Sequence, residues 1–202
     1  MAPSFAQRSR IATDTLERIE AILHAVPEGS LDSTFIKGPE LPPLTKISDE
    51  QTTTISVINS DAFTAARDIM RRFPDARGKT AVLNLAKERR VVSVITVAAL
   101  RSPPLTADGE AFAWPASLND MREKIRLVYR MAAHNAQEHI VLGAMGCGAY
   151  QCPTRQVAEE MKSILLDEEF RGRFRTVVFA VYSTGRNNNY EIFKEVLDGV
   201  KV

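Results

Sequence analysis

Apolar residues in this chain recur in two rhythms. Ile11, Thr15, Ile19, Ile22 and Leu23 fall on one helical face and predict a helix over 10–25. Leu118, Met121, Ile125, Val128 and Ala132 do the same for 117–134, where Ser117 is placed to cap with Asp120 three residues on. Helices are also expected over 61–73, with Asp61 near the start, over 153–170, with Pro153 in the first turn, and over 188–199. Between them the rhythm shortens into apolar runs at 53–61, 80–86, 89–100, 138–146 and 175–183, which read as strands. The run 89–100 is apolar on both faces, as a buried central strand would be. Pro27, Gly29, Gly38, Pro39, Pro42 and Pro43 make 26–52 an irregular connector with room for a short strand at 34–37, and 101–116 is loop. This alternation argues an α/β fold, a three-layer α/β/α sandwich on a mixed, mainly parallel sheet. One domain over 1–202 is expected: an N-terminal helix and connector at 1–52, then an α/β core at 53–202.

The pattern breaks once. Residues 81–100 read AVLNLAKERRVVSVITVAAL, so two strand-like runs are separated only by Lys87, Glu88, Arg89 and Arg90. Parallel neighbours need a crossover of a dozen or more residues. A hairpin here would lack the Asn-Gly or Gly signals of tight turns. The core is therefore expected to be truncated between 86 and 91. Loss of a covering helix would bare an apolar sheet face, which invites a partner or a second copy of the chain.

Composition changes this picture little. Apolar residues make up 45% of the 202 and charged residues 25%, ordinary values for a globular chain. A net charge of +1 gives no field that calls for nucleic acid or an anionic membrane. No apolar run approaches the ~20 residues of a membrane span, and the opening MAPSFAQRSR has no apolar core behind it, so no secretory leader is expected. Cys147 and Cys152 are too few for a disulfide framework, which points to reduced thiols in an intracellular chain, cytoplasmic or nuclear.

Candidate chemistry lies where strands end. In HIVLGAMGCGAYQCP a buried strand runs into Gly143, Gly146, Cys147, Gly148, Ala149 and Tyr150, and a helix follows. Such a turn can aim backbone N–H groups at an anion, most often phosphate, with a helix N-terminus behind it. It can equally be a tight turn with no ligand. In FAVYSTGRNNNYEIF, Ser183 ends a strand and Tyr190 opens a helix; the tyrosine could stack on a base or pack beneath its own helix. Asp61 after VINS could accept from a ligand amine and cap a helix at once. Cys147 could be a nucleophile, because a helix N-terminus lowers a thiol pKa, but no histidine is placed as its base. Cysteines five apart do not suit zinc, so no metal and no cofactor is expected. The acidic run at 167–169 reads as a solvated helix end.

Taken together, RSRIATDTLERIEAIL, SVINSDAF, KTAVLNLA, VVSVITVAA, REKIRLVYRMAAH, VLGAMGCGAY and FRGRFRTVVFAVYS resemble, in order and over most of the chain, the microbial-type poly(ADP-ribose) glycohydrolase family of macrodomain fold. The specific part is VLGAMGCGAYQCP through VVFAVYS. The resemblance implies a pocket for ADP-ribose or an ADP-ribosylated protein. Asn84 and Gly143 would lie at the ligand, Gly146, Cys147, Gly148, Ala149 and Tyr150 in the second diphosphate loop, Asp61 at the adenine amine, and Ser183 and Tyr190 by the adenine ribose. Hydrolysis of ribosyl–ribose bonds in this family uses a glycine triplet followed by Gln-Glu-Glu, placed after the strand matching AVLNLA; one glutamate protonates the leaving group. This sequence contains neither motif, and no catalytic residue is assigned. The resemblance thus implies ADP-ribose recognition with the catalytic segment gone. The alternative is a non-catalytic interaction fragment or shortened isoform that pairs with itself.

Overall fold

A computed structural model describes residues 5–27, 30, 32–45, 52–83, 92–183, 185 and 187–202. Two compact units emerge, one ending at Phe35 and the other running from Ile36 onward. In the first, the helix expected over 10–25 is two: α1 (Phe5–Glu17) and α2 (Ile19–Ala25), interrupted at Arg18, whose guanidinium pairs with Asp14 at 2.7 Å.

The second unit carries the sheet. Its strands are β1 (Ile55–Ile58), β2 (Thr80–Leu83), β3 (Ser93–Ile95), β4 (His139–Leu142) and β5 (Thr176–Ala180), in the order β1-β5-β4-β2-β3. Every pair of neighbours is parallel, so these strands are not mixed; antiparallel pairing at the sheet is confined to the bridge between Thr54 and Lys201. Alternation along each strand explains the layers. Ala81, Leu83, Ile140, Leu142, Val177 and Phe179 face one core with α4 (Pro115–His134), α5 (Thr154–Leu165) and α6 (Asn189–Leu197). Val82, Val141, Val178 and Ala180 face the other, under α3 (Ala62–Arg72) with its Ala65, Ala66 and Ile69. The expected three-layer α/β/α arrangement is the one observed.

Several local expectations are corrected. The long central strand of 89–100 is a three-residue edge strand whose Val94 is 55% exposed. Residues 96–100 leave the sheet, and Leu100 O accepts from Cys152 Sγ beyond the turn after β4. Strands β2 and β3 pair parallel, Ala81 beside Ser93 and Leu83 beside Ile95, rather than as a hairpin. The connection, 84–92, is short for a parallel crossover, and residues 84–91 lie outside the described residues. No strand forms at 34–37; Lys37 instead opens a single turn, Gly38–Glu40. Helix α4 begins before Ser117, with Trp114 at its cap and Pro115 in its first turn, where a missing N–H costs nothing. Helix α5 stops at Leu165, and the acidic run beyond it is tied down rather than solvated. Glu169 takes Arg130 at 2.6 Å, Arg126 at 3.4 Å and the Leu44 amide at 3.2 Å, while Asp167 takes Arg126 at 2.8 Å.

Candidate functional site

All five strands send residues to one cleft at their carboxyl ends, where ligands sit in parallel sheets. Its volume is about 610 Å³, within the range of small-molecule sites. Ser60, Asp61 and Ala62 come from the exit of β1, Leu83 from β2, and Ile95 through Ala99 from β3. Gly143 through Gly146 and Gly148 through Tyr150 follow β4, and Ala180 and Tyr182 end β5.

The turn after β4 is built around Gly146. Its φ is +77°, and a Cβ there would lie 2.7 Å from Cys152 Sγ and 2.9 Å from Ala99 Cβ, so only glycine fits. Gly148 differs: a Cβ would meet nothing within 4 Å. Within the turn, the Cys147 amide donates to Ala144 O, Gln151 to Gly148 O and Cys152 to Gly146 O. The amides of Gly146, Gly148, Ala149 and Tyr150 have no acceptor among the described residues. An arc of open donors along a cleft is what a phosphate group uses.

Asp61 borders the cleft from the exit of β1, two strands from β4 in the sheet. Its Oδ1 accepts the Phe63 and Thr64 amides at 3.1 and 2.9 Å, capping α3. Hydrogen bonds from the Thr64 side chain and amide hold its carboxyl below the usual range against burial, and the Phe63 amide adds to them. Asp61 therefore serves as a cap and still borders the cleft.

Other expected site residues separate from this group. Cys147 turns its side chain into the core, its carbonyl accepts Asn189 Nδ2, and burial pushes its thiol up to about 12. That is the reverse of an activated nucleophile, because burial outweighs any help from the helix end. The first residues of helix α5 do not line the cleft, and Thr154 Oγ1 donates to Asn189 Oδ1. Tyr190 packs on the main core with Lys194 over its ring at 5.8 Å, beneath its own helix and away from the cleft. Ser183 stops at the rim, its amide donating to Asn59 Oδ1 and its hydroxyl to Asn187 O. Asn84 lies outside the described residues. Among the described residues, no group of three or more His, Cys, Asp or Glu could hold a metal ion, and no helix is long and apolar enough to cross a membrane.

Two contributors escaped the sequence reading. Tyr182, 69% exposed, sits one position before Ser183 at the same strand end. The wall 96–99 was hidden inside a run that reads as strand.

No protein-family model matches this chain, and no curated protein does. Solved structures do. The poly(ADP-ribose) glycohydrolase of Thermomonospora curvata is similar with a TM-score of 0.73 over 94% of this chain and 99% of that one, at 21% identity. The Deinococcus radiodurans enzyme in complex with ADP-ribose gives 0.58 over 71% and 83%, at 21% identity. A Thermomonospora curvata structure bound to the inhibitor ADP-HPD gives 0.57 over 71% and 78%, also at 21% identity. These are structures of the family whose residue blocks the chain resembles, and the likeness establishes a macrodomain-like α/β fold.

Proposed function

We propose that this chain binds ADP-ribose, free or attached to protein, in the cleft at the carboxyl end of its sheet, and does not cleave it. The observation that carries the reading is the arc of open amides at 146 and 148–150 along a cleft of about 610 Å³ that the Asp61 carboxylate also borders. A diphosphate would take the amides. The adenine amino group would donate to Asp61, which borders the cleft. Leu83, Ile95, Val97 and Ala180 supply the apolar contact that most small-molecule sites use. Similar structures holding ADP-ribose or ADP-HPD support the ligand class.

Among the described residues, cleavage lacks its acid. A general acid in glycoside hydrolysis needs a raised pKa. The one carboxylate among the described lining residues, Asp61, is held low and committed to a helix cap. Cys147 is shut in the core. The sequence offers no Gly-Gly-Gly and no Gln-Glu-Glu.

Calorimetric titration with ADP-ribose is the test. Saturable heat is expected, and none at millimolar ligand overturns the binding half. Incubation with poly(ADP-ribosyl)ated protein should free no ADP-ribose above the enzyme-free blank; release that scales with protein concentration overturns the other half.

A further inference from the structure

The cleft has two walls that the sheet does not join. Residues 96–99 leave β3 and residues 143–150 leave β4, and β2 stands between those strands. Beyond the sheet these segments and the residues that directly follow them touch at three points. Ser102 donates its amide to Tyr150 O at 2.8 Å. Ala99 lies so near Gly146 that no Cβ fits between them. Cys152 Sγ donates to Leu100 O at 3.2 Å.

We propose that Cys152 is a positioning residue for this cleft: its thiol clasps the carbonyl of Leu100 and so sets the spacing between the β3 wall and the glycine turn that would hold the diphosphate. The proposal rests on the ADP-ribose reading above.

Cys152 touches both walls. Its amide bonds Gly146 O at 3.0 Å, its Sγ defines the space that excludes a side chain from Gly146, and it is itself buried. Gln151, just before it, holds φ +56°, an uncommon backbone for a non-glycine residue, closed by its amide on Gly148 O. That conformation delivers the Cys152 side chain beneath the turn. Among the described residues, the thiol is the donor that Leu100 O has. A thiol is a weak donor, but a buried carbonyl stripped of its partner is disfavoured, so the bond biases where 96–100 rests. Burial also keeps the group a neutral S–H, able to donate across the ordinary pH range. Serine can replace that donor; valine fills the volume without it.

The experiment titrates ADP-ribose into wild type, Cys152→Ser and Cys152→Val, and follows amide hydrogen exchange over 96–100 and 139–142. Cys152→Val should bind about five- to tenfold more weakly, the scale of one lost hydrogen bond. Its exchange should quicken at 96–100 and stay unchanged in β4. Cys152→Ser should bind within about twofold of wild type, since the donor is kept. Equal binding and equal exchange in Cys152→Val overturn the clasp. Serine as weak as valine overturns the donor role and leaves only packing. Should Cys152→Val fail to fold, Cys152→Ala carries the same comparison with Cys152→Ser. If wild type itself takes up no ADP-ribose, the ligand reading falls, while exchange at 96–100 still decides the clasp.

Discussion

The two ends of one sheet are built from opposite chemistry. At the amino end charges lie in pairs, although His139 Nε2 and Gln137 Oε1 are buried without a partner among the described residues. Lys79 reaches Glu138 at 2.5 Å, and Arg175 reaches Asp75 at 2.7 Å and Glu138 at 3.3 Å. The amides of Glu138 and His139 both donate to Lys79 O, and that of Arg175 to Glu138 O. His139 is buried there, its Nδ1 2.9 Å from Thr176 Oγ1 and its ring stacked on Phe73. At the carboxyl end the same strands open into a cleft whose turn keeps the amides of Gly146, Gly148, Ala149 and Tyr150 unused by the described residues. Backbone donors are normally satisfied within the fold. The amino end pairs its charges with one another, whereas the carboxyl end leaves backbone donors open beside a cleft.

The largest effect should come from the open end. Gly148→Glu places a carboxylate among the amides at a position with free space, so ADP-ribose affinity should drop more than about a hundredfold, roughly the 2–3 kcal/mol of one strong charge clash in a desolvated site. Its melting temperature should stay near wild type; calorimetry beside a thermal melt reads both, and intact binding would mean the anion sits elsewhere.

Gly146→Ala should do the reverse. The new methyl collides with Ala99 and Cys152 in a backbone conformation that disfavours it, costing about 1–3 kcal/mol of stability. A denaturant midpoint identical to wild type would show that the turn can relax, and with it that the two walls are loosely held.

The closed end should reveal itself through pH. Burial, then the charge of Arg175, lowers the pKa of His139 in the fold. The unfolded chain therefore takes the proton first, near the ordinary histidine value of about 6.5. Stability is unaffected above that value and falls below it, by at most about 1.4 kcal/mol per pH unit, until the folded-state pKa is reached. Urea melts between pH 8 and 5 should show that slope in wild type and lose it in His139→Asn; parallel slopes would assign the acid sensitivity to other groups.

Smallest of all should be Glu138→Gln. Lys79, Arg175 and Glu138 are partly exposed, and such pairs are weak. A melting shift under about 2 °C is expected, vanishing in high salt. A larger, salt-resistant loss would make the amino end a rigid network instead of a screened one.

How much of this was legible in the sequence follows from what each residue's neighbours are. Asp61 as a cap could be read because its partners, Phe63 and Thr64, are two and three positions away. The glycine turn after β4 was equally local. Tyr190 was not, since stacking on a ligand and packing beneath α6 look identical along the chain. The run 89–100 misled for a related reason: Val97 and Ala99 are apolar because they line a cleft, not because a sheet surrounds them. Cys147 looked like a thiol at a helix start, yet the side chains that bury it come from other elements.

Order and type of element, the alternating strand faces that make three layers, and the place of the glycine cradle were determined by the chain alone, through periodicities of two and 3.6 and the needs of single turns. Tertiary structure decided which apolar run became a short edge strand, which aromatic reached the cleft, and how Cys152 came to lie against Leu100, fifty-two residues away. Periodicity reports burial along one element, whereas what buries a residue is supplied by segments distant in sequence, and only folding brings those together.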